Sequence, residues 1–75
     1  MKPYNNAESG IDGYEDGDDW IRVNFKHGGT YEYRSPTVAA NHIEQMKQLA
    51  ASQDGLGTYI NTHRAEVYSR AVKIS

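Results

Sequence analysis

An α+β fold is what this sequence predicts: a two- or three-stranded antiparallel β-meander packed against one main helix, followed by a second, shorter helix. Two observations carry the prediction. Residues 20–26, WIRVNFK, alternate apolar and polar side chains with the period of a half-buried strand, and TYEYR at 30–34 repeats the alternation just past a double glycine. From Val38 to Ala50 the apolar residues recur instead at three- and four-residue spacing, the period of a helix that buries one face. A chain of 75 residues makes one domain of modest stability.

The start, through about Ser9, is polar and reads as frayed, so residues 1–10 are expected to be a flexible N-terminus and 11–75 the domain. IDGYE reads as a short strand closed by the turn-rich DGDD. In the next strand Ile21, Val23 and Phe25 share one face, and Trp20, Arg22, Asn24 and Lys26 the other. A two-residue Gly28-Gly29 turn would set Phe25 against Glu32 and bury charge. A three-residue loop, His27 to Gly29, sets Phe25 against Tyr31 and Val23 against Tyr33, with Gly29 left-handed. Tyr31 and Tyr33 then belong to the core, and the opposite face is polar and net basic.

Ser35 reads as a helix cap and Pro36 as a first helical residue, predicting a helix over 36–52 that lays Val38, Ala39, Ile43, Met46, Leu49 and Ala50 on the sheet. QDGLG ends it, with Gly55 or Gly57 reversing the chain. Tyr59, Ile60 and His63 fit a short second helix, followed by a less regular end. The expected core is Ile21, Val23, Phe25, Tyr31, Tyr33, Ile43, Met46, Leu49, Tyr59 and Ile60.

Several chemistries find no support. Without cysteine there is no disulfide, thiolate nucleophile or cysteine zinc site. No apolar run reaches the roughly 18 residues of a membrane helix, and the N-terminus lacks a signal-peptide stretch, so a cytoplasmic protein is expected. Read as a calcium loop from Asp12, DGYEDGDD puts Tyr14 third and Val23 twelfth, where a bidentate glutamate is needed. The three histidines have no metal-ligand spacing, and no serine sits in a glycine-flanked elbow. No enzyme activity, cofactor or metal is expected. GLGTYIN lacks the lysine of a phosphate loop, leaving Gly57 at a helix start, with Arg64 and Arg70 beyond it, as a weak anion signal.

The net charge of −2 is unevenly distributed. Residues 1–20 hold six acids against Lys2, while 21–75 hold seven Lys or Arg against four acids, so the body of the domain is mildly basic.

The residues Tyr14, Val23, Phe25, Gly29, Tyr31, Tyr33, Pro36, Gly57, Tyr59, Asn61 and Tyr68, in that order, resemble the KTSC domain, a small family named from its occurrence at the C-terminus of some lysyl-tRNA synthetases. The likeness spans roughly residues 11–68, and Arg64 and Ser35 depart from the family pattern. It implies a small α+β domain without established enzyme chemistry. The expected function is therefore a non-catalytic binding module, a monomer by default. Its first reading is docking on a partner protein through Trp20 with an open strand edge or the helix face. The alternative is RNA or DNA binding in a basic groove of Arg22, Lys26, Arg34 and the segment carrying Gly57, Tyr59, Asn61 and Arg64, with Tyr59 or Tyr68 stacking on a base.

Overall fold

The computed structural model describes residues 1–6 and 9–74. One antiparallel sheet holds five strands in sequence order: β1 (Lys2–Pro3), β2 (Ile11–Asp16), β3 (Trp20–Phe25), β4 (Gly29–Arg34) and β5 (Val72–Lys73). The sequence led us to expect two or three. The central meander is as read, and the additional strands are two-residue flanks, too short to carry any periodicity.

The register of β3 on β4 differs from the expected one by two residues. Val23 faces Tyr31, Ile21 faces Tyr33 and Phe25 faces Gly29. A two-residue shift leaves every side chain on its expected face, so apolar parity cannot choose between the registers. Charge can: the expected pairing sets Arg22 opposite Arg34, whereas the observed one sets Arg22 opposite Glu32 and Trp20 opposite Arg34. Gly29 closes the turn with φ 84, the left-handed backbone that favours glycine there.

Two helices cover the Ile21/Val23/Tyr33 face: α1 (Ala40–Ser52) and α2 (Leu56–Thr62). The first begins four residues later than expected. Ser35 and Pro36 do not cap or open it; Val38 instead turns back to donate its N–H to the Arg34 carbonyl at 2.8 Å, which brings the wholly buried Val38 beneath the helix start. The reversal after α1 uses Gln53 (φ 60) and Gly55 (φ 86), with Asp54 N–H bonded to the Leu49 carbonyl at 3.3 Å. Gly57 lies inside α2 and does not open it.

The core gathers Ile21, Val23, Tyr33, Ile43, Met46 and Ile60 as expected, with Phe25, Tyr31, Leu49 and Tyr59 partly buried at its margin. It also takes Tyr4, Ile11, Tyr14, Leu56 and Val67. The N-terminal segment is thus tied down over Lys2–Asn6, where the sequence reads as frayed. The Tyr4 hydroxyl accepts the Leu56 N–H at 3.2 Å, and the Gln53 side chain accepts the Asn5 N–H and donates to the Pro3 carbonyl. A short polar stretch gives no sign of this, because its partners lie about fifty residues away in sequence.

Tyr4→Phe leaves the Leu56 N–H buried without an acceptor and is expected to cost about 1–3 kcal/mol in urea unfolding. That is a substantial share of the roughly 4–11 kcal/mol available to a domain of this size. An unchanged midpoint would mean that the N-terminal segment is not docked.

Candidate functional site

The outer face of the sheet, away from both helices, carries most of the basic residues singled out from the sequence. There the Arg22 Nε donates to Glu32 at 2.9 Å and its Nη1 to Glu15 at 3.3 Å, while Arg34 bonds Glu32 at 3.0 Å and lies 3.6 Å from Asp19. Their guanidinium groups sit 4.7 and 5.7 Å from the Trp20 ring centroid, and the indole lies so close over Gly17 that a Cβ there has no room. Trp20 is therefore a clasped, half-buried side chain holding the turn before β3. Hydrogen bonds from Arg34 and then Arg22 hold the Glu32 carboxyl below its ordinary 4.5.

On the helix side, Tyr59 joins α2 to α1. Its hydroxyl lies 2.6 Å from His42 Nδ1, its ring stacks on His63 at 4.1 Å, and its carbonyl accepts the His63 Nδ1–H at 2.9 Å. Burial raises the Tyr59 phenol above its ordinary value. The sequence left these histidines apart, 21 residues from one another; the turn at Gln53–Gly55 brings the rings to 5.2 Å. Among the described residues no group of three or more His, Cys, Asp or Glu side chains forms a metal site, and no helix is long and apolar enough to cross a membrane.

The expected basic groove is thus not assembled as one surface. Arg22 and Arg34 lie on the outer face, whereas Gly57, Tyr59 and Asn61 lie on α2 against the other. With seven residues, α2 is also too short for Gly57 to mark an anion site at its start.

What the fold does assemble is a cleft of about 350 Å³ between the β3–β4 hairpin end, the end of α2 and the chain entering β5. Phe25, Tyr31 and Tyr33 wall one side, Asn61, Tyr68 and Ala71 the other, and His27 and Gly28 close the end. Phe25 and Tyr31 meet edge to face at 5.7 Å. Tyr33 is 1% exposed at the floor, and burial drives its phenol far above the ordinary value, with Tyr68 and Tyr31 adding to the rise. Tyr68 is 52% exposed at the mouth, with the Arg64 guanidinium 5.4 Å from its ring centroid. Asn61, Arg64 and Tyr68 are therefore brought together, whereas Lys26, between Phe25 and His27 in sequence, does not line the cleft. His27, Ala71 and Lys73 were missed. Lys73 faces Tyr31 across β4 and β5, a pairing that only the return of the chain's end creates.

No family model, curated protein or solved structure matches the chain. Geometry is accordingly the basis for its function.

Because Glu32 is more acidic in the folded state, its bonds stabilise the fold above the unfolded carboxyl's range and cease to do so as pH falls through its folded value. Urea unfolding from about pH 6 down to about pH 3 is expected to show the gap between wild type and Glu32→Gln narrowing as acid is added. A constant gap would remove the arginine bonds as the cause.

Proposed function

We propose that this chain is a non-catalytic binding module that docks on a partner protein by receiving one of the partner's side chains in the tyrosine-walled cleft. The observation that carries this reading is the cleft itself, with apolar ring walls tipped by hydroxyls and an amide from Asn61. Such a lining removes an apolar anchor from water while offering polar groups to the peptide backbone on either side. The docking surface moves from Trp20, whose ring is already flanked by two guanidinium groups, to Tyr68, Asn61 and the hairpin end. The absence of catalysis is part of the proposal. In its support, the hydroxyls of Ser52 and Ser69 donate to nearby backbone carbonyls and that of Ser9 accepts the Ile11 N–H.

Kinship with KTSC domains belongs to the same proposal. Its support is that the matching residues do distinct work: Gly29 makes the turn, Tyr31 and Tyr33 form wall and floor, and Asn61 and Tyr68 stand opposite them.

Single-stranded nucleic acid is the second reading, and one observation favours it. Arg64 and Lys73, both beside residues of the cleft, make no salt bridge among the described residues. Against it stands the shortage of open rings for successive bases. Phe25 and Tyr31 meet edge-on, Tyr33 is buried, and Tyr59 is stacked on His63.

Selection from a displayed library of random peptides about twelve residues long tests the first reading. Selected peptides are expected to lose about tenfold or more in affinity for Tyr68→Ala, the effect of removing an aromatic contact at the centre of an interface. Failure to enrich any peptide, alongside salt-sensitive binding of a mixed-sequence RNA, would overturn protein docking in favour of the second reading.

A further inference from the structure

The charges of this domain are sorted by face. Each cation near the acidic end, on the outer sheet face or on α1 has a carboxylate partner: Lys2 with Asp16, Arg22 with Glu15 and Glu32, Arg34 with Asp19 and Glu32, Lys47 with Glu44. The cations without a salt bridge among the described residues are Lys26, Arg64, Arg70 and Lys73. Arg70 is turned away to the carbonyls of Ala65 and Thr37, Lys26 lies in the turn after β3, and Arg64 and Lys73 adjoin residues that line the tyrosine cleft.

Their placement follows from the fold. Arg64 lies against the Tyr68 ring. Lys73 stands directly opposite Tyr31, and directly opposed residues share a face of the sheet. Among the described residues no Asp or Glu lines the cleft. A chain of net charge −2 thus presents an apolar slot with two positive charges beside it, Arg64 and Lys73, that have no salt bridge among the described residues. Bringing a neutral or basic segment there leaves those cations unanswered or repelled, whereas carboxylates flanking the anchor meet them at a partly desolvated rim.

We infer that the occupant of the cleft is an acidic segment of a partner protein, one apolar or aromatic side chain flanked by Asp or Glu. This rests on the docking reading above and specifies the chemistry of its partner. The apolar side chain enters between Tyr31 and Tyr68, and the flanking carboxylates reach Lys73 on one side and Arg64 on the other.

The peptide selection is repeated with wild type, with Lys73→Glu/Arg64→Glu and with Lys47→Gln as a control on α1, which contributes no residue to the cleft, far-ultraviolet circular dichroism verifying each fold. Wild type is expected to enrich peptides with several Asp or Glu beside one Phe, Tyr, Trp, Leu or Ile. Their affinity should fall about tenfold or more for Lys73→Glu/Arg64→Glu and stay within about twofold for Lys47→Gln. Raising sodium chloride from about 0.05 to 0.5 M should weaken wild-type binding and leave the weakened double variant nearly insensitive. Peptides that need Tyr68 but are neutral or basic would overturn this inference and leave the docking reading standing. Absence of any Tyr68-dependent peptide would overturn both, and tight binding of an oligouridylate that the double variant loses would identify the cations as phosphate contacts instead.

Discussion

Arg22 and Glu32 face each other across the central hairpin, and that pairing fixes the register from which the rest of the molecule follows. Apolar patterning says only which residues of β3 and β4 point inward, and two registers two residues apart satisfy it equally. One of them opposes Arg22 to Arg34. The other opposes Arg22 to Glu32, lets Glu32 accept from both arginines, and lays Trp20 beside Arg34. A cross-strand pair contributes only about 0.2–1 kcal/mol, and like charges directly opposed cost energy. Between registers otherwise matched, that difference decides.

The register also decides which surfaces remain available. The outer face spends its cations on its own acids and becomes a self-satisfied ion network of the kind that adds little to stability. Tyr31 and Tyr33 are committed to the other side, one at the margin of the core and one within it. Once the chain returns as β5 beside Tyr31, Lys73 and Tyr68 join a hairpin end that already holds Phe25, and the cleft is the space left between them. Structural and binding roles of the tyrosines are thus not alternatives: Tyr33 is floor and core together, and Tyr31 is wall and margin.

The parts of the fold legible in the sequence are those fixed by local patterning. They include the presence of β2, the inward faces of β3 and β4, the left-handed Gly29, the apolar stripe of α1 and the presence of α2. The parts that were not legible depend on distant partners. Two-residue strands have no period, Tyr4 is buried only because α2 supplies its hydrogen-bond donor, and Val67 is buried where no helical stripe announces it. Ser35 and Pro36 have the chemistry of a helix start, but burial of Val38 delays the helix to Ala40. For the site, Asn61, Arg64 and Tyr68 were named from the sequence. Arg22 and Arg34 are candidate groove residues in the sequence because it does not show that Glu15, Glu32 and Asp19 neutralise them.

The most direct test of this arrangement is the set of cross-strand backbone nuclear Overhauser effects across the hairpin of isotope-labelled protein. The structure requires Val23 to be paired with Tyr31 and Ile21 with Tyr33. Contacts pairing Phe25 with Tyr31 and Val23 with Tyr33 would place Arg22 against Arg34 and contradict the charge-selected register, and with it the neutralisation of Arg22 and Arg34 by Glu32 on the outer face.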